Sequence, residues 1–297
     1  HLSLRRQRQM CIRDSAYSLD KNESMTGIVH GKIVENGDSF ARTLLKLNIL
    51  VLDSKDNQKK NYVCTATALN KRILLTAAHC VFEEGEKVLE IAVFVKDLQG
   101  NEQKIKIADY LYHENYGAVS EKSDLAMLYV SQDLPSESVK MVRLYDGTQE
   151  ISGHQVVIGG FGIEMDPNYM GPHRLKQGRS FLYTKKYESP MYEKFIKKNQ
   201  ATFGSLNNVG NLESEYTVAE VLARHEFSIH DPQGDFPCFG DSGGPALMEA
   251  ADGSISQVGV ASSVEDDRCN SGATYTSVLY YSQWIRDNMR TLTQRQK

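Results

Sequence analysis

Residues 239–245 read Phe-Gly-Asp-Ser-Gly-Gly-Pro, directly after Cys238. A serine flanked by glycines on a tight turn can expose its hydroxyl while neighbouring backbone N–H groups point at one spot. A hydroxyl is a poor nucleophile near neutral pH, so Ser242 needs an adjacent base. A plain glycine-rich turn does not require Asp, Ser and Pro in that order, which marks Ser242 as a candidate nucleophile with Gly240 and Asp241 beside it. Two other stretches supply partners. Leu75–Cys80 (LTAAHC) gives His79, and Ser123–Leu128 (SDLAML) sets Asp124 ahead of an apolar strand that would bury it. Alone, a histidine before a cysteine is more often structural, and an aspartate opening a strand is turn chemistry. The three together are far more specific.

Around these residues the chain alternates short apolar runs with polar turns. Leu44–Leu52, Tyr62–Leu69, Arg72–Thr76, Val88–Val95, Lys104–Ile107, Leu125–Val130, Gln155–Ile158, Gln257–Ala261 and Thr274–Val278 read as strands, several with period-two alternation. Many short strands with few helices predict an all-β sandwich or barrel. One late segment differs: Tyr281, Trp284, Ile285, Met289 and Leu292 fall on one face of a helix, with Ser282 available as its N-cap. Residues 163–235 are long, polar and poor in clear strands. Within them Lys185–Lys198 reads as a solvated loop or short helix, and His173, His225 and His230 as exposed or structural.

Together these motifs resemble the trypsin/chymotrypsin-like serine proteases. The order His79, Asp124, Ser242, separated by 45 and 118 residues, is that of this family and differs from other triad folds. His113–Tyr116 (HENY), Gly160–Phe161–Gly162, Tyr275–Thr276 and Trp284–Ile285 are accessory matches, and the resemblance runs from Ile33 to about residue 290. It implies an all-β fold of two six-stranded antiparallel β-barrels with a C-terminal α-helix. The first barrel would span about 33–145, the second about 150–280 and the helix about 281–292, after a non-native or propeptide-like N-terminal segment of 1–32. It also implies a secreted serine endopeptidase acting on protein or peptide substrates without cofactor or metal. His79 would be the general base, Asp124 its orienting carboxylate, and Gly240 and Ser242 the oxyanion-hole donors. By family position Cys64 pairs with Cys80 and Cys238 with Cys269, which implies an oxidising setting, secreted or periplasmic.

Lys32–Ile33–Val34 stands where the family is cut to free a new N-terminus, although Glu35–Asn36 replaces the usual Gly-Gly. The resemblance implies a zymogen that an activating protease cleaves after Lys32, with the Ile33 ammonium seated beside Asp241; protein inhibitors are further possible partners. Six residues before the nucleophile, where trypsins carry Asp, stands Phe236. With Ser262, Val264 and Ala273 on its walls, this pocket would favour small or medium uncharged side chains before the cut, since an unpaired buried charge is costly. In a second reading the loop slips by one and Asp235 selects Arg or Lys. Rivals from other classes are a protease-like protein kept for binding alone and an esterase or acyl transferase using the same residues.

The 297 residues carry a formal charge of −4, which excludes a generally basic nucleic-acid binder, and no apolar run is long enough to span a bilayer as a helix. No C-x-x-C pair points to structural zinc. Glu83–Glu86 reads as a charged surface turn rather than a calcium loop. Residues 1–15 hold four arginines and Cys11 but no apolar signal core. They read as a foreign start, the alternative being a native basic tail.

Overall fold

The computed structural model describes residues 28–35, 38–117, 123–151, 153–162, 174–185, 215–230, 234–265, 269 and 272–296. Residues 1–15, Cys11, His173 and Lys186–Lys198 lie outside the described residues.

The first half is a closed barrel of β2 (Leu44–Asp53), β3 (Lys59–Ala68), β4 (Ile73–Thr76), β7 (Ala126–Val130), β6 (Glu102–Tyr112) and β5 (Glu86–Lys96), in that order round the ring. Strand β2 shows why it forms. Leu45, Leu47, Ile49 and Val51 point inward at every second position, and the residues between them are half exposed. They meet Leu74, Leu75, Val93, Ile105 and Leu128, each fully buried, and burying one such side chain contributes about 1.5–3 kcal/mol.

The second half is a seven-stranded sheet in the order β1 (Lys32–Ile33), β9 (Lys176–Phe181), β8 (Gln155–Gly160), β11 (Pro245–Glu249), β12 (Ile255–Val264), β13 (Ala273–Ser277) and β10 (Glu226–Ile229). It differs from the expected six-stranded barrel in how it closes. The start of β9 pairs with β1, so only its far end meets β10, through the single bridge Leu182–Ile229. Tyr183 N donates to Ser228 O and His230 N to Phe181 O, each at 2.9 Å. Short helix α1 (Val218–Leu222), with the capping box of Thr217 and Glu220, leads into β10. Thus β9, α1 and β10 lie in a region whose sequence looked poor in elements.

The N-terminal boundary also moves. The sequence places residues 1–32 outside the protease body, yet Ile28 is fully buried in the second core. Val29 bonds both ways with Phe236, at 2.7 and 3.3 Å. A body beginning at Ile33 would leave that core position empty.

Helix α2 (Ser282–Arg295) buries Ile285 and Leu292 on the first barrel, with Trp284 stacked on His113 at 5.1 Å. Ser282 is its first residue rather than its cap; Tyr281 occupies the N-cap position without a side-chain bond to the helix. The Tyr281 ring is instead used in packing, and its hydroxyl bonds Ser123 Oγ at 2.8 Å.

The two halves are joined by buried polar bonds. Thr67 Oγ1 donates to Gln257 Oε1 at 2.8 Å, and Thr65 N to Ser242 O at 2.8 Å. Each satisfies groups that burial would otherwise penalise, and the second fixes Ser242 to the first barrel.

Candidate active site

His79 sits in a single 3-10 turn, Ala78–Cys80, at the end of β4. Its backbone N–H donates to Asp124 Oδ1 at 2.9 Å, and its ring Nδ1 lies 2.7 Å from Asp124 Oδ2. A carboxylate only accepts, so Nδ1 carries the proton and Nε2 is left as the acceptor. That Nε2 is buried and has no hydrogen-bond partner among the described residues. Burial opposes charging of the imidazole, but the charge and hydrogen bond of Asp124 outweigh it, and the His79 pKa lies above its ordinary value.

Asp124 is held from three sides. Ser123 adopts a left-handed φ of 73°, Thr276 Oγ1 donates to the Asp124 carbonyl at 3.1 Å, and Ser262 Oγ donates to Oδ2 at 2.7 Å. The sequence marked Ser262 as a pocket wall and missed this bond. The hydroxyl three residues after Gly259 was the only sequence signal for it.

Ser242 occupies the turn between Cys238 and β11. Its carbonyl accepts from Thr65 N and lies 3.8 Å from Cys80 Sγ, next to His79. Gly243 must be glycine: its φ is +79°, and a Cβ would fall 2.3 Å from Thr65 O. Among the described residues, neither the Ser242 hydroxyl nor the N–H groups of Gly240 and Ser242 has a hydrogen-bond partner. Two disulfides brace the site, Cys64–Cys80 behind His79 and Cys238–Cys269 behind the turn. Cys64, His79 and Cys80 cluster within metal-binding distance, but the two sulfurs are bonded to each other and offer no thiolate.

Asp241 is turned inward. Its Oδ1 accepts from Gly162 N at 2.7 Å and its Oδ2 from Cys238 N at 2.9 Å. Burial pushes its pKa up to about 7, against those two bonds and the charge of Lys176. Ile33 is not brought to it. It lies on β1 opposite Lys176 and is 47% exposed. The chain contains Ile-Val twice, at 28–29 and 33–34. The other pair, Ile28–Val29, has Ile28 buried in the second core and Val29 paired to Phe236.

A cavity of about 20 Å³ adjoins Ser242, lined by Pro237, Phe239, Ala261, Ser262, Ser263 and Val264 together with Cys238. Phe236 and Ala273, expected on its surface, are buried and are not among its lining residues. Asp235 is not among its lining residues; its carboxylate accepts from Arg179 N at 2.7 Å on β9. His225 and His230 pack against aromatic rings, Tyr280 at 5.6 Å and Tyr183 at 6.2 Å.

The model of the Trypsin family matches residues 49–285. Mouse vitamin K-dependent protein C is 28% identical over 294 residues, covering 95% of this chain and 56% of that protein. Bovine tissue-type plasminogen activator is 24% identical over 245 residues, covering 78% and 40% respectively. The chain spans about half the length of the curated relatives it matches. Among solved structures, neuropsin, a serine protease expressed in the limbic system of mouse brain, superposes with a TM-score of 0.57 at 20% identity, covering 88% of this chain and all of that one. At that identity the likeness concerns the fold. The matched family model spans well over half of the chain and includes His79, Asp124 and Ser242: the chain belongs to the Trypsin family.

Proposed function

We propose that the protein is a serine endopeptidase. Ser242 Oγ attacks the scissile carbonyl while His79 Nε2 takes its proton, and His79 then returns that proton to the departing amine. Water repeats the cycle on the acyl-Ser242 ester and restores the free hydroxyl. Asp124 holds the imidazole tautomer and stabilises the imidazolium. The N–H groups of Gly240 and Ser242 receive the oxyanion, where loss of one donor costs about 3–4 kcal/mol. One observation carries the reading. Asp124 engages Nδ1 and leaves a buried, unpartnered Nε2 on the residue next to Cys80, which itself contacts Ser242.

The preferred side chain before the cut is small and uncharged. A cavity of about 20 Å³ admits little more than one or two water-sized groups, and among the described residues its walls bring no carboxylate. The commitment of Asp235 to Arg179 N speaks against selection of Arg or Lys through that residue. Activation is by a cut that frees the Ile28 ammonium for Asp241, rather than by a cut after Lys32; the burial of Ile28 in the second core supports this reading. The protein matures in an oxidising compartment, secreted or periplasmic, because both disulfides brace the site. An activating protease and protein inhibitors are its partners besides substrates.

A peptide-library cleavage profile, run with a matched ester and with Ser242→Ala, tests this. Amide cleavage after small uncharged residues, absent from the variant, is the expected result. Ester hydrolysis alone would point to an esterase or acyl transferase, and cleavage after Arg or Lys would overturn the pocket assignment.

A further inference from the structure

We infer that the protein has a second ligand site, separate from Ser242: a cavity between the two halves of the molecule binds a small apolar carboxylic acid through the Arg42 guanidinium.

The cavity has a volume of about 300 Å³, against about 20 Å³ beside Ser242, and among the described residues the two share no lining residue. Its walls come from both halves. The first barrel supplies the start of β2 at Leu44 and the end of β5 from Phe94 onward to Leu98. The second half supplies Ile33 of β1, Phe161 just after β8 and Leu175 just before β9. The rim is fixed by backbone bonds: Val34 N donates to Leu175 O at 3.0 Å, and Asp97 N to Asn101 O at 2.9 Å. Clefts of roughly 300–1,000 Å³ between domains, mostly apolar with a few polar groups, are where small molecules bind. This one lies at the small end of that range, which suits a compact molecule rather than a length of peptide.

The walls specify an apolar body. Ile33 and Leu98 are 47% and 52% exposed, and both line the cavity together with Phe94 and Phe161. A ligand that covers them takes apolar surface out of water.

The charges specify an acid. Two of the lining carboxylates are already used. Glu102 pairs with Lys46 at 3.5 Å, and Asp97 accepts from Gln99 N, Asn101 N and Asn101 Nδ2 within its own turn. Arg42 and Lys96 make no ion pair among the described residues, which leaves the exposed Glu35 as the one uncommitted carboxylate there. Arg42 is also held in place. Its carbonyl accepts from Lys140 N at 2.7 Å, and its Nη2 donates to Ser136 O at 3.3 Å. Its Nε is buried and has no hydrogen-bond partner among the described residues. The guanidinium therefore keeps its charge and N–H donors that the protein does not use, and a planar carboxylate is their geometric complement.

The test uses the full disulfide-bonded chain carrying Ser242→Ala, with 4-phenylbutyrate and its uncharged amide as probes in titration calorimetry. The acid is expected to bind with Kd below about 1 mM and the amide at least about tenfold more weakly, as loss of a charge-assisted hydrogen bond implies. The acid should also raise Tm in proportion to its saturation, because it bridges the two halves of the folded chain. Arg42→Leu should weaken the acid about tenfold or more and remove its advantage over the amide, while Arg42→Lys should keep part of it. Arg42→Gln repeats the comparison if the Leu variant does not fold. A diazirine-bearing phenylbutyrate should cross-link to peptides containing Phe94, Leu98 or Phe161. The inference is overturned if the acid does not bind at several millimolar, or if acid and amide bind alike. It is equally overturned if Arg42→Leu leaves the acid unaffected, or if cross-links map away from these peptides. None of these outcomes bears on the protease reading, since the two cavities are separate.

Discussion

The buried carboxyl of Asp241 makes the uncut chain lose stability as pH rises, and the size of the effect follows from its surroundings. Burial raises its pKa from 3.8 to about 7 in the folded chain. Between these values the folded protein holds a proton that the unfolded chain releases. The contribution is therefore complete below pH 3.8 and is lost as pH rises through about 7. At 1.36 kcal/mol per pH unit, that interval corresponds to about 4 kcal/mol. Asp241→Asn removes the titration. Whatever constant cost the amide brings at the Gly162 and Cys238 N–H groups, the difference in stability between variant and parent should shift by about 4 kcal/mol toward the variant between pH 4 and pH 8. Such a change is a large share of the stability of an ordinary domain. Urea unfolding of both chains, uncut, disulfide-bonded and carrying Ser242→Ala to prevent self-cleavage, measures it directly. A difference that stays flat with pH would refute the reasoning, and one that moves the other way would mean that Asp241 is fully compensated in the uncut chain.

Other outcomes follow from the same geometry. Asp124→Asn removes the charge that holds the His79 pKa above its usual 6.5 and leaves burial opposed only by the weaker charge of Glu83. The acid limb of a pH–rate profile on a peptide amide should drop from above 6.5 to below it, with kcat down by about 10⁴. Ser262→Ala deletes a 2.7 Å hydrogen bond to a buried carboxylate. Bonds to charged groups contribute about 1.5–3 kcal/mol, so kcat should fall roughly ten- to hundredfold with KM little changed; an unaltered kcat would contradict that role. Replacing Cys64 and Cys80 by serine should cost about 3 kcal/mol in urea unfolding, and Cys238 and Cys269 about 4, because the second bridge closes the longer loop, 31 residues against 16.

Much of this site is readable in the sequence because its signals are local. The Ser242 turn, the His79 run and the Asp124 strand each carry their information within six or seven neighbouring residues, and β2 announces itself by alternation. The rest depends on pairing between distant segments. Ser262 is one small hydroxyl among many until β12 is laid beside Asp124. Lys-Ile-Val at 32–34 was read as the cut site from local sequence, whereas the isoleucine buried in the second core is Ile28. Strand β9 was missed because Lys-Gln-Gly-Arg-Ser-Phe has no apolar face of its own, its backbone being held between β1 and β8. Strand β10 has only four residues, too few to show a period.

The central claim is that Ser242, activated by His79, forms a covalent acyl intermediate. Labelling the disulfide-bonded chain with a fluorophosphonate and mapping the added mass by peptide sequencing tests it most directly. One adduct per chain on Ser242, lost in Ser242→Ala and strongly slowed in His79→Ala, is the predicted result. An adduct on another residue, or labelling of Ser242 at an unchanged rate without His79, would contradict the account.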